Sequence, residues 1–332
     1  MTGGPNHPRM LHMGGAVVDY VYRIAQLPPP GGEAVATQHA RLAGGGVNLL
    51  AAARRSGLAA AYGGGHGAGP DGDLLRAAFE SLGVEALQAI QTDIDSGNCV
   101  VMIDADGERS FVSWPGAEGR LRDTALDGIA PGPSDWVVVS GYTLSYPESR
   151  DALTRWLAKL PPSRPLVFDP SPVIASVPAG IRNSVLARTT WISANLDEAC
   201  VLTGEGDPVG QAAALLDRLC PVAEGVVLRA GADGSYLQER GKAQRHLPAF
   251  PVEAVDSNGA GDTHLGVFLA GLAEGLEPGH AVLRANAGAA IAVTRFGGAE
   301  APTAAEIDAF LAAHKVDATN QVGSTNKNRH NA

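Results

Sequence analysis

Four short apolar runs in the second half of the chain, Trp136 to Val139, Pro165 to Phe168, Thr190 to Ser193 and Gly225 to Leu228, recur with helical stretches between them. Strands that are apolar throughout and separated by helices belong to a parallel sheet covered on both faces, so the pattern predicts a doubly wound α/β fold. Polar groups follow these strands at once: Ser140-Gly141-Tyr142, Asp169-Pro170-Ser171 and Asn195-Leu196-Asp197-Glu198. In an open parallel sheet the carboxyl ends of the strands form the edge where ligands bind. Met10 to Val18 reads as a first strand, with Asp19 at its C-terminal end as either a ligand contact or a turn residue. Alanine-rich or amphipathic helices are predicted at Leu49 to Ser56, Asp73 to Leu82, Ala281 to Thr294 and Ala304 to His314.

Residues Asn98 to Ser113 show a different rhythm, two apolar runs around an Asp106-Gly107 turn, which predicts a β-hairpin outside the main sheet. With the extended stretch from Glu33 to Leu42 it forms a small β-layer over a site, with lid segments at about 20–42 and 97–114. No periodic pattern occupies residues 1–9 or the polar stretch 316–332, so a single domain over 10–315 with disordered tails is expected.

Three glycine turns open helices. Val255-Asp256-Ser257-Asn258-Gly259-Ala260-Gly261-Asp262-Thr263 is followed by Leu265, Phe268, Leu269 and Leu272 at helical spacing. The first amides of such a helix lack partners and lie at the positive end of its dipole, so they suit an anion. Asp262 on that first turn either holds the helix start or takes a proton from an attacking hydroxyl. The turn Gly44-Gly45-Gly46-Val47-Asn48 lets a ligand approach the backbone at Gly45, and Asn48 offers both a donor and an acceptor to a polyol; a tight turn without ligand is the alternative. The third, Gly63 to Gly72, matches neither a dinucleotide-binding turn nor a Walker loop.

Asn195 and Glu198, three apart at a helix start, either hold Mg²⁺ through its waters or form a capping box. Gly231-Ala232-Asp233-Gly234 makes a turn along which a nucleotide can lie, and Arg109 on the hairpin either meets an anionic or hydroxylated ligand or stays exposed.

Composition narrows the classes. The 332 residues are 45% hydrophobic and carry a formal net charge of -10 with no long basic run, which argues against nucleic acid as a partner. Cys99, Cys200 and Cys220 show no metal-ligand spacing, and no apolar run reaches membrane-spanning length, so a cytoplasmic protein with no membrane partner is expected.

Asp256-Ser257-Asn258-Gly259-Ala260-Gly261-Asp262 resembles the Asp-Thr-x-Gly-Ala-Gly-Asp signature of the PfkB, or ribokinase-like, family of carbohydrate and nucleoside kinases. The Gly-Gly-x-x-Asn turn at Gly44 to Asn48, the Asn-x-x-Glu at Asn195 and Asp-Gly-Glu-Arg at Asp106 to Arg109 are similar to further family motifs in the same order. The details around Asp19, the hairpin and Ser140-Gly141-Tyr142 most resemble uncharacterised bacterial sugar kinases of the family. The resemblance implies a ribokinase-like fold with a small β-sheet lid that often forms a homodimer contact, and phosphoryl transfer from MgATP to a sugar hydroxyl. On that reading Asp262 is the base, and the amides of Gly259, Ala260 and Gly261 form the anion hole. Asp19, Gly45 and Asn48 match sugar-binding positions, Asn195 and Glu198 the magnesium and phosphate region, and Gly231, Gly234 and Asn286 the nucleotide region. Asp256 and the loop near 295–303 resemble a monovalent-cation (K⁺) site. Ser257 replaces the usual threonine, and Arg229 stands where a threonine often precedes the nucleotide glycines. A nucleoside kinase of the same family is the alternative, disfavoured by an aromatic content of only 5%; a non-catalytic sugar or nucleotide sensor is a further one.

Overall fold

Neighbouring residues of each central strand enter two different cores, and that division sets the architecture. Leu11, Val137, Val139, Phe168 and Ile192 belong to one buried cluster, while Met10, Val138, Val167, Trp191 and Val227 belong to the other. A strand whose successive side chains point to opposite faces must be apolar at every position when both faces are covered. The computed structural model describes residues 8–296 and 300–314, so most of both expected tails lies outside it, as does Lys315.

The main sheet contains β1 (Arg9–His12), β4 (Ala59–Tyr62), β5 (Glu85–Ala86), β8 (Trp136–Ser140), β9 (Leu166–Asp169), β10 (Trp191–Asn195), β11 (Gly225–Arg229), β12 (Ser235–Glu239) and β13 (Arg245–Leu247). Its spatial order is β13-β12-β11-β10-β9-β8-β1-β4-β5. Pairing is parallel from β5 through β11 and antiparallel for β12 and β13. The order reverses at β1, which lies between β8 and β4 and marks a topological switch point.

Helices Pro147–Lys159, Ala179–Leu186, Leu196–Thr203 and Pro208–Ala214 contribute Trp156, Leu186, Ala199 and Ala212 to the first core. Helices Gly46–Arg55, Pro70–Leu82, Ala260–Ala273, Pro278–Val293 and Ala304–Ala313 contribute Leu50, Phe79, Phe268, Val282 and Ile307 to the second. Among the described residues no helix is long and apolar enough to cross a membrane.

The lid is a separate four-stranded sheet, β3-β2-β6-β7, built from β2 (Ala16–Arg23), β3 (Gln38–Gly45), β6 (Asn98–Ile103) and β7 (Arg109–Trp114). The predicted hairpin is β6 and β7. Val21, Cys99, Val101 and Ile103 pack on its inner face with Ala40 and Leu42.

The first strand departs from expectation. Met10 to Val18 is not one strand, because β1 stops at His12 in the main sheet and β2 starts at Ala16 in the lid. The buried His12 ring explains the break: a Cβ on Gly14 would lie 2.4 Å from it, so the chain leaves the sheet through glycine. Asp19 consequently sits within the lid, paired with Leu42 and Cys99, and not at the edge of the main sheet. Arg9 belongs to β1 rather than to a disordered lead, and its guanidinium donates to Asp135 across 2.8 Å.

The helix that carries Asp262 fits closely against the helix Gly46–Arg55. A Cβ on Gly266 would lie 2.6 Å from Ala52 Cβ and 2.8 Å from the Ala53 nitrogen, whereas one on Gly180 meets nothing within 4 Å. Gly266→Ala is therefore expected to destabilise the protein by about 1–3 kcal/mol through overpacking, while Gly180→Ala is neutral or stabilising by up to ~1 kcal/mol. Denaturant unfolding of both variants checks the opposite signs.

Candidate active site

The signature turn enters its helix through Gly259, the N-cap of Ala260–Ala273, at φ 72°, a left-handed conformation that glycine adopts without strain. No side chain caps this helix. The first helical bond runs from the Thr263 amide to the Gly259 carbonyl at 2.8 Å. The Ala260 amide reaches the Ser257 carbonyl only across 3.3 Å, and those of Gly259, Gly261 and Asp262 meet no acceptor among the described residues. A helix start left open in this way is a seat for an anion.

Asp262 stands on this first turn, deep in the body with part of its surface still open. Burial pushes its carboxyl up to about 7, with Asp169 and Asp19 adding to the rise, while Arg229 and a hydrogen bond from Asn48 oppose it. It is thus a carboxylate held close to its proton-transfer point at neutral pH.

On one side of Asp262 lies the mouth of the lid. Asp19 is raised to about 6 by burial and by Asp256, against a hydrogen bond with Asn258. A Cβ on Gly44 would fall 2.2 Å from the Asp19 carboxylate, which explains that glycine by packing alone. Gly45 ends β3 at φ 56°, and the following helix presents buried Asn48 to Asp262. The structure therefore brings Asp19, Gly45, Asn48 and Asp262 to one place.

On the other side the strand ends converge. Ser140 pairs with Asp169, and Asn195 with Arg229. Ser171, beyond β9, is the one described non-glycine residue with positive φ, at 59°, and its hydroxyl meets that of Ser140 at 3.1 Å. Asn195 and Glu198 form the capping box: Asn195 Oδ1 accepts from the Glu198 amide at 2.7 Å, and Glu198 Oε2 accepts from the Asn195 amide at 2.9 Å. Burial and the neighbouring Asp169 push the Glu198 carboxyl above its ordinary range. Arg229 lies among these acids, 3.3 Å from Glu198 and 3.6 Å from Asp169, and donates to Ser193 Oγ at 2.7 Å.

The positions expected to meet a nucleotide divide. Gly231, at φ 58°, faces open space, while a Cβ on Gly234 would meet the Leu247 carbonyl at 2.2 Å. Asn286 is buried and its polar atoms are committed: Nδ2 donates to the Leu247 and Pro248 carbonyls, and Oδ1 accepts from Ser235 Oγ at 2.7 Å and faces His264 Nε2 at 3.0 Å. It braces the segment beside Gly234 from within. Ser235 and His264 carried no signal in the sequence because each sits in an ordinary strand or helix pattern.

Arg109 and Asp256 are found on each other. The Arg109 guanidinium pairs with the Asp256 carboxylate and donates to Ser257 Oγ at 2.9 Å, so the lid is clasped to the signature turn. Residues 297–299 of the loop expected beside Asp256 lie outside the described residues. Glu118 was not singled out in the sequence; it is buried and accepts from the Gly97 and Gly116 amides at 2.8 and 2.9 Å, fixing the base of the hairpin.

Asp262 and Asp19 both bind protons more tightly in the folded protein than a free aspartate does. Between about pH 4 and 7 the folded state holds protons that the unfolded chain has released, so each group favours unfolding increasingly as pH rises through that window. Asp262→Asn is expected to raise the Tm at pH 8, by a stabilisation on the order of a few kcal/mol at most, and to give no gain at pH 4. Thermal unfolding at the two pH values measures it.

The model of the "pfkB family carbohydrate kinase" matches residues 12–305. The uncharacterized sugar kinase YegV of Escherichia coli K12 is 31% identical over 92% of this chain and 94% of its own length. Among solved structures, the ribokinase of Cryptococcus neoformans var. grubii in complex with ADP is 26% identical, with a TM-score of 0.75 over 92% of this chain and 99% of that one. The ribokinase of Arabidopsis thaliana complexed with ribose and ATP is 22% identical, with a TM-score of 0.70 over 92% and 99% of the two chains. The nine-stranded sheet with its four-stranded lid is thus a ribokinase-like fold, and the chain belongs to the PfkB family of carbohydrate kinases.

Proposed function

We propose that this kinase transfers the γ-phosphoryl group of ATP to a hydroxyl of a small neutral carbohydrate. One observation carries the reading: Asp262, a carboxylate poised near neutrality, stands on the helix turn whose amides are open to an anion. The related ribokinases solved with ADP, and with ribose and ATP, support the two substrate classes. The sugar lies between Asp19, Asn48 and Asp262. Arg109, the guanidinium at that mouth, is neutralised by Asp256, so carboxylates and amides dominate there and an anionic sugar is disfavoured.

Asp262 accepts the proton of the attacking hydroxyl as its oxygen bonds to the γ-phosphorus. The bond from that phosphorus to the β,γ-bridging oxygen breaks, and ADP departs with the electron pair. The amides of Gly259 and Gly261 stabilise charge on the transferring group as expected, with that of Asp262 in place of Ala260, whose amide faces the Ser257 carbonyl; phosphoryl transfer relies on electrostatic support of this kind. Gly231 and Gly234 shape the nucleotide loop, and Asn286 holds its neighbouring segment.

Glu198 and Asp169 fit magnesium by their chemistry: both offer oxygen, and the proton affinity of Glu198 is raised by burial first and by the charge of Asp169 second, both of which a nearby cation offsets. Among the described residues no three acidic, histidine or cysteine side chains form a chelating group, which suits an ion held through water and phosphate. Held there with the nucleotide, magnesium would supply positive charge to the phosphate oxygens. Potassium is assigned no step, because Arg109 already balances the Asp256 carboxylate.

A homodimer through the lid accompanies this reading. Tyr22, Val112 and Trp114 share the outer lid face, with Val112 opposite Val100 and Trp114 opposite Asn98. Trp114 is 67% exposed and Val112 60%, an apolar patch that a second copy covers. Trp114→Glu is expected to convert a dimer to a monomer in sedimentation equilibrium; a monomeric unsubstituted protein overturns the contact.

A coupled ADP-release screen over pentoses, hexoses, sugar acids and nucleosides tests the activity. Turnover with a neutral sugar is expected, and turnover with nucleosides alone overturns the substrate class. With the substrate found, kcat falls about tenfold per pH unit below an inflection near 7. Asp262→Asn lowers kcat by about 10²–10⁴-fold while sugar and nucleotide still bind; near-normal turnover excludes it as the base.

A further inference from the structure

We propose that Arg229 is a catalytic residue whose guanidinium joins the backbone amides in holding the phosphoryl group during its transfer. The inference rests on the phosphoryl-transfer reading above. Arg229 ends β11 beside Asn195, and its guanidinium lies flat against the signature turn: a Cβ on Gly261 would be 3.4 Å from Nε and 3.5 Å from both Cζ and Nη2. It therefore flanks the open amides of Gly261 and Asp262.

The hold on this guanidinium leaves donors to spare. Its close bond is Nη1 to Ser193 Oγ at 2.7 Å, whereas the approaches to Glu198 and Asp169 are 3.3 and 3.6 Å. Ion pairs in full contact span about 2.7–2.9 Å. A guanidinium carries five N–H groups, and Nε, which faces Gly261, meets no acceptor among the described residues. The side chain is 14% exposed, so it is anchored and oriented before any ligand arrives. Arginine forks match phosphoryl oxygens, and donors fixed in advance cost no reorganisation during the reaction.

A simpler role, neutralising Asp169, Glu198 and Asp262, predicts a different result. Loss of that charge raises the proton affinity of Asp262, so activity returns once the pH is high enough to free the base. Loss of a phosphoryl contact is not recovered by pH.

The test uses the full chain and the sugar found in the screen, with Arg229→Gln and Arg229→Lys. We expect Arg229→Gln to lower kcat by about 10²–10³-fold at every pH from 6 to 9. ADP binding, measured by calorimetry, changes little, while the tightening of ADP by aluminium fluoride, a mimic of the group in flight, is lost. Arg229→Lys keeps the charge without the fork and stays at least about tenfold below the unsubstituted enzyme. Recovery of Arg229→Gln at pH 9, unchanged tightening by aluminium fluoride, or full activity in Arg229→Lys overturns the proposal. An unsubstituted enzyme that turns over no sugar overturns the phosphoryl-transfer reading instead.

Discussion

Carboxylates crowd the carboxyl edge of this sheet, and the free energy of keeping them ionised there shapes everything around them. Asp169, Glu198 and Asp262 come from three different elements, and burial raises the proton affinity of the latter two. Desolvation alone would favour their neutral forms. Asn48 and Arg229 hold Asp262 within reach of its charged form, and the capping box and Arg229 do so for Glu198. The open amides of the signature helix add positive potential in the same place. The site is thus a balance of opposing charges, in which each member is explained by its neighbours.

Much of this was legible in the sequence wherever a local rule fixed the outcome. The four largely apolar strands, the hairpin at Asp106-Gly107 and the glycine turns appear where the pattern puts them, because each depends on residues adjacent in the chain. Asp262 and Asn48 were recognisable from their place beside those turns. Where tertiary packing decides, the sequence is mute. Ala59–Tyr62, an alanine run with little intrinsic preference for a strand and no element predicted for it, forms β4 because it lies between β1 and β5. The division of Met10 to Val18 follows from the space that His12 occupies, and Asn286 braces a loop through bonds to residues nearly forty positions away.

Arginine positions show the same limit. In the sequence Arg109 reads as either a ligand contact or an exposed hairpin residue, and Arg229 as a departure from a family pattern. In the structure both flank the signature turn, one from the lid and one from the sheet. Their partners are acids distant in the chain, so spacing cannot reveal them. The lid clasp also couples two functions, since Asp256, which receives Arg109, is followed by Asn258, which reaches Asp19. One short turn thus holds the lid at two points, through Arg109 and through Asp19.

The seat of Gly266 against Ala52 and Ala53 ties the last third of the chain to the first. While the protein is being synthesised, the helix Gly46–Arg55 emerges long before its partner Ala260–Ala273 exists; β1 to β4 and the helix Pro70–Leu82 pack on it from the N-terminal part of the chain, but the side that meets Gly266 waits for the last third. The backbone of that side, at Leu49 and Ala53, and the Ala52 side chain gain their close neighbour only with the C-terminal helices. The helix that supplies this neighbour is the one bearing Asp262, so the close fit of the two helices and the placing of Asp262 beside Asn48 are completed together.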